Sequence, residues 1–383
     1  MNVKNCNLRP VYFALQWHLT ERCNWRCKHC YQEKSHIKGE LPLKDLIRIF
    51  KQYLELIKHF DTVGPHRARL TLTGGEPLLR KDFFVFLEKI YRYNKYFLLS
   101  ILSNGSLIDK ESARKLKKLG VKIVQVSLEG MEINNDAIRG KGAFSKTIRA
   151  IEILVKSKIN ATVSFTLTKQ NLSDVPALIK LCKKLRVSRL GIRRLVTIGK
   201  GEALRGYFLS PLELKRFYWY IEKKRKALEI KDERPKFFIT RGCEEGIFSQ
   251  EISQPLNSCA VVTGRILVAL PNGDILPCRR LPIKVGNALE SSLFNIYYNS
   301  SKLQQLRNLN NAYRICKECS YFDRCFSGAK CISYSYFNRL SSPDPQCWRL
   351  FRKLPDPGLF RSQKDISDKR QRVYFGLLPG VKR

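Results

Sequence analysis

Leu15-Gln16-Trp17-His18-Leu19-Thr20-Glu21-Arg22-Cys23-Asn24-Trp25-Arg26-Cys27-Lys28-His29-Cys30-Tyr31 is the stretch from which the rest of the chain is read. Its first part, Leu15–Thr20, is strand-sized and mostly apolar. Three cysteines follow on one loop with the spacing Cys23-x3-Cys27-x2-Cys30. Thiolates bunched in this way can hold three irons of a cubane cluster and leave the fourth iron without a protein ligand. An open iron of that kind can bind a small chelating ligand directly. The alternative is a structural zinc ion held by the three cysteines with His29 or His18 as fourth ligand.

A second motif, Thr73-Gly74-Gly75-Glu76-Pro77, closes the next strand, Arg69–Thr73. Paired glycines let the backbone come close to a ligand, and Glu76 can accept from an amino group. Four more strands are expected at Phe97–Ser103, Lys122–Ser127, Ala161–Thr168 and Arg189–Leu195. Amphipathic helices alternate with them at Leu43–Phe60, Asp82–Tyr93, Asp109–Leu119, Ser145–Lys156 and Ser173–Leu185, the last with Ser173 as its N-cap. Six βα units imply an α/β fold with a parallel sheet, open or partly closed into a barrel. In a parallel barrel, the cysteine loop and the glycine turn share the C-terminal rim, where ligands bind.

On these residues the chain resembles the radical S-adenosylmethionine (SAM) superfamily. The matching motifs are Leu19–Tyr31 with its three cysteines, and Gly74-Gly75-Glu76-Pro77. Later strand ends also match: Leu102-Ser103-Asn104-Gly105, Val126-Ser127-Leu128-Glu129-Gly130 and Arg193-Arg194-Leu195-Val196. The resemblance implies a partial parallel (β/α)6 barrel in which Cys23, Cys27 and Cys30 bind a 4Fe-4S cluster. SAM would chelate the open iron, with Gly74, Gly75, Glu76 and Pro77 around its ammonium, Ser127 near the ribose and Arg194 near the carboxylate. Glu129 stands where many relatives have Asp. The implied chemistry is one-electron cleavage of SAM to a 5′-deoxyadenosyl radical, which takes hydrogen from a substrate C–H.

After about residue 240, helices give way to turns and closely spaced cysteines. Val268–Leu270, Pro271-Asn272-Gly273-Asp274 and Ile275–Leu276 read as a hairpin. Cys259 and Cys278 flank it, and Cys316-x2-Cys319-x5-Cys325-x5-Cys331 and Cys347 follow. With Cys243 upstream, eight cysteines are the number needed by two four-thiolate sites. A segment with so little apolar periodicity needs bound metal to fold. It looks like a SPASM domain, the auxiliary-cluster domain of many radical enzymes that act on peptides. That resemblance implies one cluster on Cys259, Cys278, Cys331 and Cys243, and a second on Cys316, Cys319, Cys325 and Cys347. The five residues between Cys325 and Cys331 depart from the family's usual three. Zinc at one or both sites is the alternative. Cys182 reads as a buried core thiol and Cys6 as incidental.

The expected division is a radical SAM barrel over 12–210, a linking helix and connector over 211–242, a SPASM domain over 243–350 and a basic tail over 351–383. The 383 residues include 13 cysteines, an odd number clustered at short spacings. That argues against a disulfide framework. No apolar run approaches the roughly 20 residues of a membrane span. The polar start, Met1–Pro10, lacks a signal peptide's apolar core, so a cytoplasmic location is expected. The net charge of +38 attracts polyanions.

The expected substrate is a ribosomally made peptide or a protein side chain, an acidic one suiting the basic surface, with a flavodoxin- or ferredoxin-type electron donor. Because the first motif begins at Cys23, no fused N-terminal peptide-recognition domain is expected, and a separate recognition protein would serve instead. Two other readings stand beside this one. The first is an enzyme acting on haem-precursor side chains, whose propionates would suit Arg193 and Arg194. The second is a non-catalytic iron–sulfur or nucleic-acid-binding protein, with Tyr218, Trp219 and Tyr220 beside Lys223–Arg225.

Overall fold

The computed structural model describes residues 12–32, 39–230, 236–240 and 259–350. Six parallel strands follow one another in sequence order: β1 (Phe13–His18), β2 (Ala68–Thr73), β3 (Leu98–Ser103), β4 (Ile123–Ser127), β5 (Asn160–Leu167) and β6 (Arg189–Arg194). A short seventh, β7 (Phe238–Thr240), extends the β6 edge. Helices α1 (Leu43–His59), α2 (Phe83–Tyr91), α3 (Lys110–Lys118), α4 (Glu132–Arg139), α5 (Ala143–Lys156), α6 (Val175–Lys184) and α7 (Pro211–Ile230) fill the connections.

The strands alternate apolar and polar residues, although a parallel sheet covered on both faces is usually apolar throughout. Phe13, Leu15 and Trp17 of β1, Leu70 and Leu72 of β2, and Val124 and Val126 of β4 are buried in the main core. The register places the intervening residues in polar rows. Gln16 aligns with Thr71 and Thr71 with Ser100; Gln125 aligns with Thr162, and Ser127 with Ser164 and then Gly191. A period of two in a parallel sheet therefore marks an inner face that lines a ligand cavity.

Two helices of the barrel differ from the sequence reading. Ser173 does not cap α6: it lies in a short 3₁₀ turn, Leu172–Asp174, and α6 begins at Val175 with a proline in its first turn and no side-chain cap. Helix α4 was not anticipated. Its exposed Ile133 (86% accessible) breaks the apolar stripe that would have signalled it.

The cysteine-rich half begins as part of the barrel sheet. Strand β8 (Ile266–Ala269) pairs parallel to β1, and β9 (Asp274–Leu276) turns back antiparallel, with Gly273 at φ 86° in the turn, a region that favours glycine. A two-residue β10 (Gly286–Asn287) ends the sheet, whose order is β10-β9-β8-β1-β2-β3-β4-β5-β6-β7. Helix α8 (Leu293–Asn299) packs on α1, where Gln52 Oε1 accepts from Leu293 N (3.0 Å) and the tilted Tyr297 ring meets Phe60 with ring centroids 4.7 Å apart. Leu267, Ile275, Leu293 and Leu303 thus join the barrel core, and a second core gathers Val261, Leu281, Ala329 and Ile332 with Cys259 and Cys331. Cys243 and the tail 351–383 lie outside the described residues. Among the described residues, no helix is long and apolar enough to cross a membrane.

Candidate active site

The cysteine loop, residues 19–32, has no regular structure and is held by what it touches. Leu19 N donates to Thr73 O (2.8 Å), Gly75 N to Thr20 O (2.9 Å) and Glu76 N to Arg22 O (2.8 Å). The glycine turn is therefore zipped onto the loop. A Cβ on Gly74 would stand 2.3 Å from Thr20 O, and one on Gly75 would stand 2.4 Å from Arg22 O. The glycines admit the cysteine loop, in addition to any approach they offer a ligand. Arg80, at 4% exposure, fastens the same loop through Leu19 O (2.8 Å) and Leu41 O (2.6 Å).

All three loop cysteines line one cavity of about 640 Å³ at the C-terminal rim. Gly74, Gly75, Ser103, Asn104, Ser127, Glu129, Arg139, Arg194 and, beyond the hairpin, Arg279 line it too. Burial pushes the Cys27 and Cys30 thiols up from their ordinary pKa. Holding them as thiolates takes metal and nearby donors. The donors are present: Trp25 N reaches Cys23 Sγ at 3.4 Å, Asn104 Nδ2 reaches it at 3.9 Å, and Arg139 Nη1 reaches Cys27 Sγ at 3.7 Å. Among the described residues, no three Cys, His, Asp or Glu side chains form a set that could hold a single metal ion. A cubane anchors each thiolate on a different iron, and this donor set fits it.

His29, considered as a zinc ligand, is instead tied by Nε2 to Glu129 Oε1 (2.9 Å), and Arg139 closes on the same carboxylate. Glu129 is 1% exposed. Burial alone would raise its carboxyl, but Arg139 and then His29 pull it down to about 2. His18 sits between the Gln16 and Gln32 amides, and burial, helped by Arg279, lowers it to about 3, so it is neutral.

Glu76 is fully buried and does not line the cavity. It accepts from Ser103 Oγ (2.9 Å) and Asn104 N (2.7 Å). It thereby fixes the residue whose side chain donates to Cys23. Burial pushes its carboxyl up to about 7 against these donors. A carboxyl raised from 4.5 contributes stability below pH 4.5 that is lost as pH rises through 7. Glu76→Gln, which keeps an acceptor for Asn104 N–H, is therefore expected to gain on wild type in melting temperature between pH 5 and 8.5. A difference independent of pH would show that Glu76 is not ionising in this range.

Ser127 lines the cavity. Arg194 also lines it, but its guanidinium is committed to Asp344, 150 residues further on, rather than left for a ligand's carboxylate. In the C-terminal half, Cys316, Cys319, Cys325 and Cys347 line a single small cavity with Asp344. Cys259 and Cys331 share the second core, with Cys278 packed against it. The SPASM resemblance assigns these two groups of cysteines, with Cys243, to two separate clusters. Sequence reasoning missed Arg139, Asp344 and the role of Asn104 as a donor to Cys23 Sγ. Only Asn104 stood in a quoted motif.

A parallel α/β barrel whose rim gathers three thiols under N–H donors suits an iron–sulfur cluster. A profile of the Radical SAM superfamily matches residues 17–182, and one of an iron–sulfur cluster-binding domain, SPASM, matches 259–320. Residues 17–182 thus carry a radical SAM domain and residues 259–320 a SPASM domain, and these domains imply SAM and 4Fe-4S clusters as cofactors.

Fe-coproporphyrin III synthase of Methanosarcina barkeri is 32% identical over 63% of this chain, which spans only 55% of that protein. AdoMet-dependent heme synthase of the same organism is 28% identical over 87% of this chain and 95% of its own length. Mycofactocin maturase MftC of Mycolicibacterium smegmatis is 28% identical over 87% and 82%. Streptococcus suis SuiB, solved with its precursor peptide SuiA, shares the fold at 18% identity, with a TM-score of 0.71 over 88% of this chain and 76% of SuiB.

Proposed function

We propose that this enzyme abstracts hydrogen from a peptide or protein side chain presented by a carboxylate-bearing segment. The observation that carries the reading is the cavity wall. Arg193, Lys200, Arg279 and Arg280 line it, while the carboxylate of Glu129 is already taken by Arg139 and His29. Arg279 lies over the Tyr31 ring at 5.5 Å and has no ion-pair partner among the described residues.

SAM and the reduced loop cluster would together supply a 5′-deoxyadenosyl radical and methionine. The chain's own part is to hold the three thiolates, to keep the inner face of the sheet polar and fixed, and to orient an anionic group against the basic wall. A flavodoxin- or ferredoxin-type donor and a separate peptide-recognition protein belong to the same proposal.

The test compares a synthetic peptide rich in Asp and Glu with its Asn/Gln counterpart in anaerobic, reduced assays. Peptide-stimulated 5′-deoxyadenosine should follow the acidic version. Its stimulation should fall as salt shortens the Debye length from about 30 Å at 0.01 M to about 8 Å at 0.15 M. Equal stimulation by both peptides, insensitive to salt, would remove the wall from recognition. A second reading, haem-precursor propionates on the same cations, is favoured by the tetrapyrrole synthases among the relatives. Turnover of a propionate-bearing tetrapyrrole but neither peptide would establish it.

A further inference from the structure

The end of β6 carries a network that radical formation does not use. Arg194, the last residue of β6, is 2% exposed. It grips Asp344 with both arms, Nη1 to Oδ1 at 2.8 Å and Nη2 to Oδ2 at 2.7 Å, and Nη1 also reaches Gln346 Oε1 at 3.1 Å. Its backbone carbonyl accepts from Arg280 Nη1 at 3.1 Å. Gln346 continues the network by donating Nε2 to Leu209 O at 2.7 Å. Asp344 and Gln346 stand three residues and one residue before Cys347, and Arg280 stands two after Cys278. Segments bearing cysteines of both expected auxiliary sites thus meet the barrel at one residue of the cavity wall.

Asp344 also lines the small cavity shared by Cys316, Cys319, Cys325 and Cys347. A 2%-exposed carboxylate beside a cluster disfavours an added electron unless a cation balances it, and in a poorly polarisable interior that penalty is large. Arg194 is the balancing cation.

We propose that Arg194 is a positioning residue for the second auxiliary cluster: by pairing with Asp344 it fixes the Cys347 segment to the reaction cavity and holds that cluster's reduction potential up. The proposal rests on the reading that Cys316, Cys319, Cys325 and Cys347 hold a cluster. Two other cations border the site, the buried Lys330 near Cys316 and Cys325, and Arg349 over the Tyr321 ring. Both are constant across the variants below, so comparison isolates the Arg194–Asp344 pair.

The experiment is a redox titration followed by electron paramagnetic resonance on the anaerobically reconstituted full chain, with iron and sulfide counted for each variant. Arg194→Gln leaves the carboxylate unbalanced and should move one cluster's potential to more negative values. Asp344→Asn leaves the guanidinium unbalanced and should move the same potential to more positive values. The double variant should return towards wild type. A purely structural strut would instead lose iron in both single variants, without opposite shifts. Shifts of the same sign, or no shift in loaded clusters, would overturn the proposal. If one single variant fails to load, the other single variant and the double still give the sign. If the wild-type chain shows no third cluster signal, the ligand reading itself fails and the proposal falls with it, a result distinct from loaded clusters that do not shift.

Discussion

Replacing Cys23, Cys27 or Cys30 with Ala is expected to abolish anaerobic, reductive conversion of SAM to 5′-deoxyadenosine and methionine. The three thiols share one wall of the rim cavity, and each would anchor a different iron, so loss of any one removes the open-iron arrangement the reaction needs. Misfolding is not the expected cause. The loop is held by backbone bonds to the glycine turn and by Arg80, none of which involves a cysteine side chain. Iron content gives the control. If all three sites hold four-iron clusters, the wild-type chain carries roughly twelve irons and the triple-alanine variant keeps about two-thirds of them. Cleavage that persists in the triple variant would remove the loop from the chemistry. Stoichiometric zinc beside only about four irons would make the C-terminal sites structural.

The barrel was legible because its signals are local. Strand ends fell within two residues of their expected places: Arg69–Thr73 was expected and Ala68–Thr73 found, and Arg189–Leu195 was expected and Arg189–Arg194 found. The Asn272-Gly273 turn announced its hairpin for the same reason. What escaped were pairings across long separations. Nothing in Ile266–Ala269 shows that it will lie parallel to Ala14–Trp17 and carry the cysteine-rich half into the barrel sheet.

Arg194 is the clearest case at the site. Its place at the end of a strand suggested a ligand's carboxylate, but the structure supplies one from within the chain, at Asp344. Glu76 erred in the same direction. A carboxylate in a glycine turn suggested an exposed acceptor, and the backbone of Asn104, 28 residues on, has taken it inside. Short motifs name the residues of a site well. They do not show which of those residues are already bonded to each other.

Glu129→Gln is expected to be the most destabilising single change at the barrel rim. Glu129 and Arg139 have side chains only 2% and 8% exposed, and Glu129 also bonds Thr166 N (2.6 Å) and His29. Removing one member of a buried pair leaves the other charge uncompensated, at a cost of about 3–5 kcal/mol. That should appear as a fall of several degrees in melting temperature at neutral pH. The pH dependence separates charge from shape. The Glu129 carboxyl lies at about 2 when folded and near 4.5 when free, so its contribution is complete above pH 4.5 and is lost as pH falls through 2. The wild-type advantage over Glu129→Gln should therefore be flat from pH 5 to 7 and shrink steadily below pH 4.5. Glu76 has the opposite sign, with its contribution present below pH 4.5 and fading towards 7, so the two variants should trace opposite slopes in different windows. A gap for Glu129→Gln that is unchanged down to pH 3 would mean that the carboxylate's charge is not what holds Arg139. The bond from Arg139 to Cys27 would then have to be sustained by packing against Trp25, whose ring centre lies 6.0 Å from the guanidinium.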